Sequence, residues 1–439
     1  MEQQLESGTN NKAPVSKSEF FLMFLLLALS GNPFFSQKLP IFISLASIIS
    51  LYYLFCNYKK TIYARTLFIF IFFIGYECIH ALMFNLDYSE TIVKLFLILL
   101  FGFTVVNLLK TRFIKVFLFT MYIICIISFV FTVLCYVPGI GKGLYKLAGV
   151  MFPLQKDFKN YSTPTLIIYT FLPEFFNGTF KYTRNAGIFW ESGAFAVYLN
   201  IALYLKYYTT KIKKFSDLFD RQSIVYIVAL CSAASTMGIL SLIAVLTFYS
   251  FQLKSNLKYA GVFLICLVAG LAFTSFDFLG EKISKQLSES GSSNNRFGSA
   301  MMDMKDIEKR PLFGWSRRME VLFNTTTSSS KTHRPNGLTN FLRCYGLIYF
   351  ITYFYLVYLS FRTIGDYYKS RNARLALLGI LLLWIVSFSE LIFDEAFLKS
   401  LLFLSLIYRP SQRQRTQIRY IKKRPMRLSN QNMETFLLH

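Results

Sequence analysis

"FLFTMYIICIISFVFTVLCYV" (residues 117–137) holds no charged side chain from end to end. An α-helix rises ~1.5 Å per residue, so about twenty apolar residues match the ~30 Å hydrocarbon core of a bilayer. The rest of the chain repeats this pattern: of 439 residues, 54% are hydrophobic, with 48 Phe and 28 Tyr. A soluble domain of this length has no use for such runs. The sequence therefore predicts an all-α fold, a polytopic membrane helix bundle. About twelve spans can be marked, near 20–36, 39–57, 64–84, 91–109, 113–137, 187–208, 222–236, 237–253, 259–276, 338–361, 373–393 and 396–408.

The net charge of +24 would point to nucleic acid in a soluble protein, but here the cations sort by linker. One set of linkers holds Lys59, Lys60 and Arg65; Lys110, Arg112 and Lys115; Lys211, Lys213, Lys214 and Arg221; Lys254 and Lys258; and Arg362, Lys369, Arg371 and Arg374. The short linkers between them carry only Lys38 and Lys399. The positive-inside rule then places both termini in the cytoplasm. The tail from Arg409 carries eight basic residues and one acid. It reads as an anchor on anionic inner-leaflet lipid, not as a nucleic-acid site.

This topology divides the chain into five spans (1–137), a first large outer loop (138–186), four spans (187–276), a second large outer loop (277–337), three spans (338–408) and a basic tail (409–439). The polar N-terminus and the lack of a small-residue cleavage site predict an uncleaved first span. The seven cysteines (56, 78, 125, 135, 231, 266, 344) lie in spans or at their edges with no CxxC spacing. Neither disulfides nor structural zinc is expected.

In the first outer loop, "PTLIIYTFLPEFF" (164–176) is too short to span and reads as interfacial or re-entrant. In the second, "NNRFGSAMMDMKDIEKRP" (294–311) has Phe297, Met301, Met304 and Ile307 at helical spacing, predicting a helix with an apolar face. Asn294 or Asn295 would cap its start and Pro311 would fix its stop. Arg296 sits at that start, where the helix dipole disfavours a cation. Either an anion is shared between Arg296 and the free backbone N–H groups, or Arg296 is an ordinary solvated loop residue.

"RNAGIFWESGAFA" (184–196) sets an arginine and a glutamate at the mouth of a span. With the span beginning near Gly187, Glu191 lies about one turn inside. An intramembrane acid is a functional-site hypothesis by default, and its bland counterpart is a local Arg184–Glu191 pair pinning the helix. Glu77, His80, Glu390, Asp394 and Glu395 gather at the same membrane face, with His80 expected to be a hydrogen-bonded structural histidine. His333, Arg334 and Asn336 precede the tenth span, and Arg343 lies about a turn inside it. Of three histidines, His333 is the one best placed for general-base work. No P-loop, nucleotide-binding, metalloprotease or serine-hydrolase motif occurs.

These segments, in this order, resemble the O-antigen polymerase and O-antigen ligase superfamily of bacterial membrane glycosyltransferases. "RNAGIFWE" is similar to its R-x-x-G-x-F-x-E pattern, "NNRFGSAMMDMKDIEKRPLFGWS" (294–316) to its R-x…P-L-x-G segment, and "HRPNGLTNFLRCYG" (333–346) to its histidine–asparagine segment. The resemblance implies glycan transfer from undecaprenyl pyrophosphate to an acceptor sugar hydroxyl at the periplasmic face of the inner membrane. By position it implies pyrophosphate binding by Arg184 and Arg296, supported by Arg334 or Arg343. Glu191 and His333 compete as the base, while Trp190, Trp315 and Asn336 would meet sugar. No cofactor and no metal are expected. Membrane lipids, a chain-length regulator and a flippase would be partners.

The "ESGAFA" continuation looks more like a polymerase than a ligase, which would move the finished chain onto lipid A core. "HRPNG" departs from the closer His–Asn spacing common in ligases, which counts against the His333 assignment. A flippase or other transporter is the competing class. Transporters set polar groups near the bilayer midplane, whereas here they gather at one face.

Overall fold

The computed structural model describes residues 13–57, 64–137, 139–152, 164–176, 179–182, 184–210, 212–253, 259, 261, 263, 296–318, 321, 335–368 and 373–408. The N-terminal half supplies α1 (Lys17–Leu29), α2 (Pro33–Gln37), α3 (Leu39–Asn57), α4 (Ala64–Phe84), α5 (Ser89–Leu109), α6 (Phe113–Tyr136) and α7 (Ile140–Met151). A two-stranded antiparallel hairpin follows, β1 (Pro173–Phe176) and β2 (Thr179–Tyr182). Then come α8 (Ser192–Thr209), α9 (Arg221–Ala233), α10 (Thr236–Phe251), α11 (Arg296–Lys309), α12 (Gly337–Tyr367), α13 (Ala373–Ser387), α14 (Ala396–Ser400) and α15 (Leu404–Ile407).

Among the described residues, three helical runs are by length and composition able to cross a membrane: Ala64–Phe84, Ser89–Tyr136 and Gly337–Tyr367. The second is interrupted by a 3-10 turn at Lys110–Arg112, where Lys110 takes φ +48°. Shorter apolar helices include Arg221–Ala233, Thr236–Phe251 and Ala373–Ser387. The expected count of twelve is thus not reproduced. The left-handed Ala234 between α9 and α10 falls near the expected boundary of spans 222–236 and 237–253, but the two helices it separates are each shorter than a span. The expected span 259–276 and the tail 409–439 lie outside the described residues, apart from 259, 261 and 263.

The outward faces are those of a membrane protein. Phe55 and Leu82 are each 83% exposed, and Ile48, Ile49, Tyr52, Phe68, Ile71, Val130 and Val133 lie open beside them on α3, α4 and α6. In water, patches of this size mark interaction surfaces or aggregation sites. Next to hydrocarbon they cost nothing.

At the centre stands α8, buried from Ser192 through Tyr208 and packed by α6, α9, α10, α12 and α13. Such all-round burial needs apolar or hydrogen-bonded side chains on every face. The tyrosines meet that need: Tyr204 donates to the Leu375 carbonyl at 2.9 Å, Tyr207 to Leu218 at 2.6 Å and Tyr208 to Phe361 at 3.0 Å. Asn200 donates to the Gly238 carbonyl on α10 at 3.1 Å.

The helix begins later than expected, at Ser192 and not near Gly187, so Glu191 is its N-cap residue. Residues 185–189 instead form a buried irregular segment. Asn185 donates to Ser128 on α6 at 2.9 Å and Ser232 on α9 at 3.1 Å, and accepts from the Gly187 N–H at 2.9 Å. Asn32, between α1 and α2, donates to the carbonyls of Ile167 (2.8 Å) and Ile188 (3.0 Å). The stretch 164–171 is a turn closed by a Thr165–Thr170 bridge, and it leads into β1 without forming a helix.

The predicted helix near 294–311 is α11, with Arg296 at its start, and its apolar face is largely not the face it buries. Phe297, Met301 and Met304 are exposed, whereas Gly298, Ser299, Asp303, Asp306 and Ile307 are buried. The inward face is set by ionic contacts to α12, and only Ile307 of the four apolar residues follows it.

Beyond α11, residues 311–316 cross α12 at a break. Gly346 takes φ +70° and ψ 177° inside that helix, a region essentially restricted to glycine. A Cβ there would overlap the Leu312 carbonyl. Gly346→Ala is expected to destabilise by about 1–3 kcal/mol from the backbone alone, with the overlap added. Gly75→Ala, on a site with nothing within 4 Å, should leave the melting temperature in detergent unchanged or raise it. Equal melting of the two variants would refute this account of the break.

Candidate functional site at the α8, α11 and α12 termini

Three of the sequence segments meet around one carboxylate. Glu390, in the link after α13, is buried and lies 3.9 Å from the Arg296 guanidinium at the start of α11. A Cβ on Gly193, in the first turn of α8, would overlap its Oε1. On α12 the N-cap Asn336 accepts from the Thr339 N–H at 3.0 Å and donates to the Arg296 carbonyl at 3.4 Å. Phe297 packs on Phe388 with ring centroids 5.2 Å apart. Arg296, Asn336, Glu390 and the α8 N-terminus thus form one locus.

The remaining predicted residues fall around it differently. Arg184 and Glu191 are both partly exposed, and the local ion pair between them is not among the salt links of the described residues. Glu191 makes no side-chain capping bond. Trp190 rests over the α1–α2 turn, where a Cβ on Gly31 would sit 3.1 Å from its ring. His333 and Arg334 lie outside the described residues.

Arg343 and Trp315 are built into the protein. Arg343 is buried and lies 3.4 Å from Asp303 and 3.8 Å from Asp306. Asp303 also accepts from the Thr339 hydroxyl at 2.7 Å. The Trp315 indole N–H donates to the Asp306 carbonyl at 2.8 Å, and the Arg310 guanidinium stacks 4.6 Å from its ring. His80 is hydrogen-bonded, as expected: its Nε2 lies 2.8 Å from the Phe313 carbonyl, and Nδ1 lies 3.8 Å from Glu77.

A second ionic cluster braces the same loop. Arg317 meets Asp394 at 2.5 Å, and the other oxygen of Asp394 lies 3.1 Å from Lys399 and 3.3 Å from the Tyr345 hydroxyl. Burial alone would raise the Asp394 carboxyl, but Arg317 and Lys399 bring it below its ordinary range. Asp394 in turn raises Arg317. Lys399 does not belong to an exposed linker, as charge counting assigned it. It is fully buried in a cage of Phe73, Phe341, Tyr349 and Tyr353, 5.2–5.8 Å from each ring, and Tyr349 accepts from it at 2.9 Å. Cation–π attraction is strongest where water is excluded.

Sequence reading grouped Glu390 with the outer-face acids but gave it no role, and it passed over Asp303, Asp306 and Arg317. The i,i+3 spacing of Asp303 and Asp306 was the available signal, because it puts both on one helical face. Among the described residues no group of three His, Cys, Asp or Glu is placed to hold a metal ion.

Arg343→Met separates a structural from a ligand-facing role. Removing one member of a buried ionic cluster costs about 3–5 kcal/mol, so the variant should melt well below the parent. An unchanged melting temperature would show that Asp303 and Asp306 do not depend on Arg343.

Comparison with known protein families, with curated proteins and with solved structures found no match.

Proposed function

We propose that this chain is a polysaccharide polymerase of the inner membrane. In this reading it joins undecaprenyl-pyrophosphate-linked repeat units at the periplasmic face, with both termini cytoplasmic and about twelve spans in all. An acceptor sugar hydroxyl attacks the anomeric carbon of the donor, the bond to pyrophosphate breaks, and the hydroxyl proton passes to a base. The leaving group gathers negative charge as that bond breaks. Guanidinium groups aimed at it stabilise the transition state more than the ground state. Arg296 and Arg184 take that role, and Glu191 or His333 takes the proton.

The observation that supports this reading is the meeting of Arg296, Asn336 and the first turn of α8 around Glu390. Segments separated by more than a hundred residues of sequence bring a cation and helix N-terminal amides to one place, which is the chemistry an anionic leaving group needs. Arg343 and Trp315 enter as supports of that place, since their polar groups are occupied by α11. A transporter reading lacks a comparable observation, because this locus lies at helix ends and the sequence shows no internal repeat of the kind transporters are built from.

The test is chain growth by the purified protein on an undecaprenyl-pyrophosphate-linked repeat unit. Arg296→Ala and Arg184→Ala should each lower the rate about 10²–10³-fold, the usual loss for one oxyanion-type donor. Absence of longer products with a verified native substrate would overturn the polymerase reading. In cells, loss of the gene should leave core plus one repeat unit on a lipopolysaccharide gel. Bare core would indicate ligation in its place.

A further inference from the structure

We propose that Glu390 is the resident counter-anion of the pyrophosphate site: it holds the anion position between Arg296 and the α8 N-terminus until the donor's diphosphate displaces it. This rests on the polymerase reading, and specifically on Arg296 as a diphosphate ligand.

Three observations carry it. Glu390 is buried, and a carboxylate out of water needs a compensating charge or donors. Among its neighbours are two groups that bind phosphates: a guanidinium and the first turn of an 18-residue helix. The Glu191 side chain does not cap that helix. Gly193 leaves room for a carboxylate where any larger residue would collide with it.

Second, the Ser192 hydroxyl at the first position of α8 is fully buried and has no hydrogen-bond partner among the described residues. A buried hydroxyl without a partner is costly. A phosphate oxygen at the helix start would satisfy it.

Third, the outer arginines differ in how tightly they hold their acids. Arg317 meets Asp394 at 2.5 Å, and Arg343 is shared by Asp303 at 3.4 Å and Asp306 at 3.8 Å, whereas Arg296 stands 3.9 Å from Glu390. The Arg296 side chain is 19% exposed, against 6% for Arg343; Arg317 is more open, at 50%, but is held by the short contact to Asp394. A loose, reachable pair is the one a stronger, doubly charged anion can exchange. Glu390 then keeps Arg296 aimed at α8 in the empty site and competes with the donor for it.

The experiment measures binding of undecaprenyl pyrophosphate to the full chain in nanodiscs, with undecaprenol as the uncharged control. Glu390→Gln keeps the shape and removes the charge, and should bind the diphosphate lipid about fivefold or more tightly, in the range usual for coupled sites. Arg296→Ala should bind it more weakly, and the double variant should match Arg296→Ala, because Glu390 acts through that guanidinium. If Glu390→Gln does not fold, Glu390→Asp decides: it draws the charge back by one methylene and should shift affinity in the same direction. Unchanged or weaker binding by a folded Glu390 variant overturns the counter-anion role. So does unchanged binding with chain growth abolished in Glu390→Gln, which would make Glu390 the base. Unchanged affinity in Arg296→Ala, or no preference for diphosphate lipid over undecaprenol, removes the diphosphate reading of Arg296 itself.

Discussion

Where α12 breaks at Gly346, its backbone exchanges partners with residues 311–316, and the outer half of the molecule depends on that exchange. The break frees the carbonyls of Arg343, Cys344 and Tyr345. They accept from the Trp315 N–H at 2.9 Å, the Ser316 N–H at 2.8 Å and the Tyr76 hydroxyl at 2.5 Å. The N–H groups of Leu347 and Ile348 turn to the carbonyls of Pro311 (2.8 Å) and Leu312 (3.3 Å). Non-helical backbone is tolerated at membrane depth only where protein or water satisfies its polar groups, and here the inserted segment does so. Gly314 faces Gly346 across the crossing with φ +72°, and a Cβ on either would enter the opposing chain. The glycines of "PLFG" and "RCYG" are thus two halves of one contact.

From that crossing the geometry runs outward in both directions. Toward the C-terminus, Arg317 is carried to Asp394 and so to Lys399 in its aromatic cage, which ties the loop to α4, α12 and α14. Toward the N-terminus, α11 is held along its length by Asp303 and Asp306 against Arg343. A 14-residue helix spans about 20 Å at ~1.5 Å per residue, so Arg296 is delivered to Glu390 by a strut fixed at its far end. The α8 side is fixed independently, by Asn185 between α6 and α9 and by Asn32 beneath Ile188. Two separately braced elements meeting at one carboxylate give a site whose parts cannot drift apart without breaking buried hydrogen bonds.

The helical membrane character, the existence and limits of α11, and the position of Arg296 were all legible in sequence, because apolar run length and the Pro311 stop are local signals. The orientation of α11 was not. A periodic apolar face marks a helix as amphipathic but does not say which face the fold buries. Here the ionic contacts of Asp303 and Asp306 took the inward side, and Phe297, Met301 and Met304 turned out. Lys399 was misassigned for a related reason: counting cations by linker cannot see a cage built from α4 and α12. The start of α8 was missed by five residues, from Gly187 to Ser192, because the Asn185 and Asn32 bonds that hold 185–189 out of a helix reach residues far away in the chain.

The arginines at this face look alike in sequence and divide by their acids in space. Arg343 and Arg317 sit against buried or half-buried carboxylates. Drawing Arg343 toward a substrate would strand Asp303 and Asp306 away from water, a penalty of several kcal/mol that one phosphate contact does not offset; Arg317 is held by the short contact to Asp394. Arg184 has no carboxylate within ion-pair distance among the described residues, and Arg296 has a single loose one. Arg184 thus has no such pair to lose and Arg296 a single one, so less of an incoming anion's binding energy is consumed there than at Arg343, which holds two buried acids. The same inequality explains why the tight pairs lie around the α12 crossing and the loose one at the far end of α11. The crossing must hold while the site changes its charge, and only groups that are weakly committed in the empty protein can follow a charge that forms during the reaction.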